Sequence, residues 1–209
     1  MLIGVCGKKR AGKDTVGLFL KIHHKFRMIA LADPIREIAI ELFGLNKAQL
    51  DGDLKEKVDV RWGLTPRGIM QKLGTEVGRE GRFAIFEPMV SATQLRAVFA
   101  KHKLKAGSTC WIDSLFARIA EQKFFLDVHD FVVTDVRFPN EAEAIKKNGG
   151  KLVFITRPAL PVSMDVHASE AEIDNIDPDL VDFHLINDGT LKQLHARVGI
   201  TLNQFRSRR

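Results

Sequence analysis

The sequence predicts an α/β fold in which a parallel sheet is covered by helices on both faces. Short apolar runs, at 2–6, 131–134, 151–156 and 183–186, alternate with stretches of helical periodicity. Those runs are apolar nearly throughout, as strands buried on both faces must be. A glycine-bounded loop joins the first run directly to the first helical stretch. The chain has 209 residues, 45% hydrophobic and 28% charged, which is long enough to bury a core without staples and too apolar to stay disordered. No apolar run approaches the roughly 18 residues that a membrane span needs, so no membrane partner is expected. Met1 to Gly7 reads as a strand and not a secretory leader, because no basic region precedes it. Cys6 and Cys110 supply neither a disulfide framework nor a four-ligand zinc site, and fit a reducing cytoplasm. No linker stands out, and a single domain over 1–209 is expected, with a helical excursion at about 33–125.

The elements follow in order. After the strand at 2–6, a helix is expected from Lys13 to His24, with Val16, Phe19, Leu20 and His23 on one side. Asp33-Pro34 starts a second helix, Asp as cap and Pro at the first helical position; Ile35, Ile38, Ala39, Leu42 and Phe43 recur at helical spacing, and Gly44 stops it. Residues 46–62 are polar and irregular. Thr65-Pro66 opens another helix by the same chemistry, and helical patterns return at 92–102 and 111–122. The strand at 131–134 leads to a helix over 139–148 that ends at Gly149-Gly150. Lys151 to Thr156 is a strand, 157–180 is loop-rich, 183–186 is the last strand and 190–198 the last helix.

The loop Gly7-Lys8-Lys9-Arg10-Ala11-Gly12-Lys13-Asp14-Thr15 carries the most chemistry. Its glycines let backbone N–H groups wrap a phosphate, the helix N-terminus adds partial positive charge, and a lysine placed like Lys13 reaches the outer phosphates of a nucleoside triphosphate. Lys8, Lys9 and Arg10 raise the local positive potential. The general pattern has Ser or Thr after the lysine as a Mg2+ ligand; Asp14 stands there instead, with Thr15 next, and both remain open as the metal ligand.

Two further clusters suit a phosphorylated ligand. On a helix from Thr65, Arg67, Gln71, Gly74, Thr75 and Gly78 share one face, while Ile69, Leu73 and Val77 fall opposite and meet the core. Arg suits a phosphate, Gln a base edge and Gly a close approach. Asp135-Val136-Arg137-Phe138-Pro139-Asn140-Glu141 follows a strand, and ligands of open α/β sheets sit beyond the carboxyl ends of strands. Asp135 would organise Mg2+ or a sugar hydroxyl, Arg137 would neutralise charge on the transferring group, and Glu141 lies on the first turn of the next helix. Trp111 is read either as a base-stacking ring or as core, and Asn187-Asp188-Gly189 either as a turn or as an adenine-side loop. His167, Ser169 and Glu170 lie in a segment, about 157–175, that would form a lid with Arg157 at its base. Seven histidines lack metal-site spacing, and no nucleophile elbow is present.

The chain resembles the deoxynucleoside monophosphate kinases of large lytic bacteriophages. The resemblance rests on the loop from Gly7 to Thr15, on Arg67 to Thr75, on Asp135 to Glu141, on Asn187 to Leu191 and, more faintly, on His167-Ala168-Ser169-Glu170. It implies a three-layer P-loop kinase fold, ATP and Mg2+ as cofactors, and transfer of phosphate to deoxynucleoside monophosphates for phage DNA synthesis in the host cytoplasm. By matched position, it implies that Gly7, Lys8, Arg10, Gly12, Lys13, Asp14 and Thr15 serve ATP and the metal. Arg67, Gln71, Gly74, Thr75, Asp135, Arg137 and Glu141 would line the acceptor site, with Trp111 on the base; Lys13, Asp135 and Arg137 would be the catalytic groups. It also implies a homodimer. The region at about 44–64 matches the family poorly, and base preference is read from none of these residues.

The net charge of +6 and an isoelectric point near 9.4 favour anionic partners in general. The rival readings are a P-loop kinase for another small acceptor such as dephospho-coenzyme A or phosphomevalonate, a nucleic-acid-stimulated ATPase, and a nucleotide-binding module without turnover. Basic residues interleaved with aromatics on a sheet are lacking, so nucleic acid is not the expected partner.

Overall fold

Leu2–Cys6 (β1) is apolar on both faces because it lies at the centre of a five-stranded sheet. The sheet order is β2-β3-β1-β4-β5, with β2 at Arg27–Ile29, β3 at Phe131–Val136, β4 at Lys151–Thr156 and β5 at Phe183–Ile186. Every pairing is parallel, which bears out the predicted class. The computed structural model describes residues 1–158 and 172–207. They fall into two compact units, Met1–Ala30 with Ile119–Arg209, and Leu31–Arg118.

In the first unit, helices cover both sheet faces. On one face Ile3 and Val5 of β1, Val153 and Ile155 of β4 and Leu185 of β5 share a core with α1 (Lys13–His24) and α8 (Leu191–Ser207). On the other, α7 (Pro139–Lys147) lies so close to β1 that a Cβ on Gly4 would press on Ile145 and Leu152. The sequence pattern did not disclose β2, a three-residue edge strand with only Ile29 buried. It also ended α8 too early: Leu194, Val198, Leu202 and Phe205 continue the apolar face for two more turns. β3 runs on through Asp135 and Val136, so Asp135 belongs to the strand and does not follow it.

In the second unit, α2 (Asp33–Phe43), α4 (Pro66–Lys72), α5 (Ala92–Lys101) and the start of α6 (Cys110–Leu126) surround Ile38, Phe43, Ile69, Leu73, Val77, Phe86, Leu95 and Phe99, all buried. Asp33 is not the cap of α2: the cap position is Ala32, without a side-chain bond, and Asp33 is already in the first turn. Gly44, at φ 58°, ends α2 in the left-handed conformation. The segment 46–62, expected to be irregular, contains α3 (Lys47–Asp51), capped reciprocally by Asn46 and Gln49. It also contains a polar hub. The buried Asp59 carboxylate accepts from Arg61 Nε at 2.9 Å, Arg61 Nη2 at 2.6 Å and Gln49 Nε2 at 2.7 Å. The Arg61 guanidinium holds that carboxyl well below the usual carboxylate range. Among the described residues no helix is long and apolar enough to cross a membrane.

Candidate active site

The phosphate loop leaves β1 and enters α1 through alternating backbone conformations. Gly7 has φ 140°, Arg10 φ 65° and Gly12 φ 113°. The two glycines are required by the protein itself: a Cβ on Gly7 would strike the Ile155 carbonyl, and one on Gly12 would strike the Asn187 amide. Asn187 Nδ2 donates to the Ala11 carbonyl at 2.8 Å, and Asn187 N–H donates to Thr156 O at 2.7 Å, so the segment after β5 pins the loop. The 12-residue α1 begins at Gly12 without a side-chain cap, leaving an N-terminus of the kind that accepts an anion. Lys13 is buried, and its Nζ folds back onto the carbonyls of Gly7 at 2.5 Å and Lys8 at 2.9 Å. A cationic amine, left-handed glycines and an uncapped helix end together fit a phosphate chain. Lys8 is exposed and paired with Asp174 at 2.9 Å, which offsets part of the loop's charge.

Asp14 is exposed, Thr15 half-buried, and both offer the hard oxygens that Mg2+ prefers. Asp14 Oδ1 accepts from the buried Thr134 hydroxyl at 3.1 Å. Thr134 stands where the β1–β3 register shifts: partners pass from Gly4↔Val133 to Cys6↔Val136, so β3 carries one extra residue. Such a bulge re-aims the side chains around it. The register also places the carboxyl end of β3 beside the end of β1, where the loop begins, which brings Asp135 and Arg137 to the loop's end of the sheet. Glu141 is buried, and its Oε2 accepts from the N–H groups of Arg137 at 2.8 Å and Phe138 at 3.1 Å. That contact fixes the Arg137 backbone and caps α7. Cys6, at the foot of the loop, is buried, and burial pushes its thiol up to about 12. Burial, with Asp113 nearby, pushes Cys110 to about 11, so neither thiol is a nucleophile.

In the second unit, Ile69, Leu73 and Val77 are buried, as the helical spacing of that segment predicts. α4 widens into a π-helical turn over Leu73–Val77, closed by Gly78 N–H on Leu73 O at 2.9 Å. Arg67, Gln71, Gly74 and Thr75 are all half-buried. Arg67 is paired with Glu56, and the Gln71 amide makes no hydrogen bond among the described residues. Trp111 corrects an expectation. It is 2% exposed, its Nε1 donates to Gly74 O at 2.8 Å, and a Cβ on Gly78 would lie inside its indole. The ring is packed on the turn and offers no face to a base. Gly78 is therefore explained by Trp111 and not by a ligand, and a Cβ on Gly74 would press on Ile35 at 3.2 Å.

His167, Ser169, Glu170 and most of the expected lid lie outside the described residues. Glu172–Asn175 forms a short 3₁₀ turn. Two residues that contact the loop segment were not read from the sequence as site residues: Thr134, and Asn187 as an anchor of the loop. Arg36, in the first turns of α2, bridges Asp33 at 3.7 Å and Asp51 at 3.0 Å, while its buried Nε has no hydrogen-bond partner among the described residues.

The family model for deoxynucleotide monophosphate kinase matches residues 106–198. The chain is 32% identical over 202 residues to a putative deoxynucleotide monophosphate kinase of Acanthamoeba polyphaga mimivirus, covering 95% of this chain and 94% of that one. It is 33% identical, over an alignment 243 positions long, to the deoxynucleotide monophosphate kinase of Enterobacteria phage T4, covering 96% of this chain and 98% of that one. Among solved structures it is similar to a dephospho-CoA kinase from Campylobacter jejuni, at TM-score 0.44 and 18% identity, covering 97% and 96%. On its near full-length match to the first two proteins, the chain belongs to the deoxynucleotide monophosphate kinase family.

Proposed function

We propose that the protein transfers the γ-phosphoryl group of ATP to deoxynucleoside monophosphates, giving ADP and deoxynucleoside diphosphates for viral DNA synthesis. The observation that carries this reading is the phosphate loop, with Lys13 Nζ folded among the loop carbonyls at the uncapped start of α1. Family membership supplies the acceptor class.

Phosphoryl transfer asks little covalent chemistry of a protein and much positioning and charge. Lys13 and the N–H groups at the start of α1 hold the donor's phosphates. Arg137, its backbone fixed by Glu141, meets the charge that builds on the transferring group, and Asp135 organises the groups around it. Arg36 and Arg67 take the acceptor's phosphate, while Gln71 and Thr75 serve its sugar or base. Asp14 or Thr15 would hold Mg2+, which when bound neutralises charge on the donor's outer phosphates. Exclusion of water keeps the donor from hydrolysis. A homodimer in the host cytoplasm belongs to the same reading, and light scattering at assay concentration checks the stoichiometry.

The test is incubation with ATP, Mg2+ and each of the four common deoxynucleoside monophosphates, with products separated by ion exchange. Diphosphate and ADP in equal amounts are expected. ADP without any deoxynucleoside diphosphate overturns the proposal.

A further inference from the structure

A salt bridge in the second unit occupies one of the cations assigned to the acceptor. Arg67 Nε donates to Glu56 Oε1 at 2.5 Å, with the Arg67 side chain 26% and the Glu56 side chain 60% exposed. The same two segments are joined through the backbone, where Arg67 N–H donates to Lys55 O at 3.0 Å. The turn that carries Glu56 is itself closed, by Lys55 N–H on Gly52 O at 3.2 Å and Lys57 N–H on Leu54 O at 3.1 Å. Glu56 is thus presented to Arg67 by a built turn.

A carboxylate and a phosphate make the same demand on a guanidinium, an anionic oxygen on its N–H fork. Glu56 occupies the Nε corner of that fork, so a phosphate that takes the guanidinium through Nε must displace it. We infer that Glu56 is an internal competitor for the acceptor phosphate, a gate that holds Arg67 until a phosphomonoester displaces it. The inference rests on the assignment of Arg67 to the acceptor. Glu56 acts through Arg67 and is a positioning residue.

The size of the effect follows from the exposure of the pair. An ion pair open to water closes with an equilibrium constant of roughly one to five, and the apparent dissociation constant of the competing ligand is raised by one plus that constant. Removing the carboxylate therefore tightens phosphate binding about two- to sixfold. The factor is shared by every phosphate that uses Arg67, so inorganic phosphate is a probe as well as the nucleotide.

The experiment is calorimetric titration of the full chain and of E56Q, E56D, R67A and the E56Q/R67A double variant with dTMP, dGMP and inorganic phosphate, with melting temperatures recorded alongside. E56Q is expected to bind the accepted nucleotide and inorganic phosphate about two- to sixfold more tightly. E56D, which keeps the charge, is expected to stay near the parent. R67A is expected to weaken nucleotide binding at least about tenfold, and the double variant to match R67A. A contact that merely supports the fold would loosen binding or lower the melting temperature when lost, the opposite sign. If R67A weakens binding while E56Q leaves it unchanged or weaker, the gate is overturned and the acceptor assignment stands. If R67A binds as well as the parent, the assignment of Arg67 falls and the gate with it.

Discussion

The Thr134 hydroxyl donates to Asp14 Oδ1 at 3.1 Å, joining the central part of the sheet to the residue that follows the phosphate-loop lysine. Thr134 is buried at the register shift of β3, and its γ-methyl lies where a Cβ on Gly17 of α1 would have to go. The hydroxyl is therefore fixed in space, and it orients a carboxylate that is otherwise exposed.

Thr134→Val keeps the shape and removes the donor. The Mg2+ concentration for half-maximal activity is expected to rise about two- to tenfold, the worth of one ordinary hydrogen bond, since the carboxylate is open to water. The affinity of the nucleotide complex for Mn2+, read by electron paramagnetic resonance, is expected to fall in parallel. Asp14→Asn should exceed that loss. If Thr15→Ala abolishes metal binding while Thr134→Val and Asp14→Asn leave it untouched, Thr15 is the ligand and Asp14 is not.

Among the glycines of the second unit, Gly78 leaves the least room for a Cβ, because the Trp111 indole fills that space. Gly78→Ala is expected to destabilise the protein by about 1–3 kcal/mol or more through overpacking, measured by urea denaturation. Combining it with Trp111→Phe, a smaller ring, should cost less than the two single losses added together. Simple additivity would show that the chain relieves the clash in some other way.

The architecture was legible because β1, β3 and β4 are buried on both faces and show it in composition, and because the edge strand β5, with only Leu185 buried, is still a run of apolar residues broken by one histidine. β2 was not, since only Ile29 of its three residues is buried. The loop from Gly7 to Thr15 was legible as a spacing of residue types, but the reason for its glycines was not: they yield to Ile155 and Asn187, far away in sequence. Trp111 shows the limit from the other side. One aromatic at the start of a helix looks the same whether it stacks on a base or on Gly78, and only the neighbouring turn decides. Glu56 lies in a stretch whose polarity resembles ordinary surface, and its contact with Arg67 exists only once the turn at 52–57 is folded.

Asp182 sets part of the acid stability. It accepts from Lys146 Nζ at 2.5 Å, Leu152 N–H at 2.8 Å and Lys151 Nζ at 3.1 Å. Burial pushes its carboxyl up, but these hydrogen bonds outweigh burial and hold it below the usual range. A carboxyl lowered in the folded state contributes stability above its unfolded value, near 3.9, and loses it as pH falls through the folded value. Asp182→Asn is expected to cost about 1–2 kcal/mol at pH 7, with the gap to the parent narrowing below about pH 4. Melting curves between pH 7 and pH 3 check it; a gap that does not change with pH would mean that packing and not charge is responsible.

The central claim is that Lys13 and its loop move phosphate from ATP to a deoxynucleoside monophosphate. Its most direct test is label transfer from γ-labelled ATP, with Mg2+, in the parent chain and in Lys13→Met, against the four deoxynucleoside monophosphates, AMP, dephospho-coenzyme A, DNA and no acceptor. Label is expected in deoxynucleoside diphosphate with the parent, falling by at least about 10²-fold in Lys13→Met while the circular dichroism spectrum is kept. Label in another acceptor alone, hydrolysis stimulated only by DNA, or full transfer by Lys13→Met would contradict it.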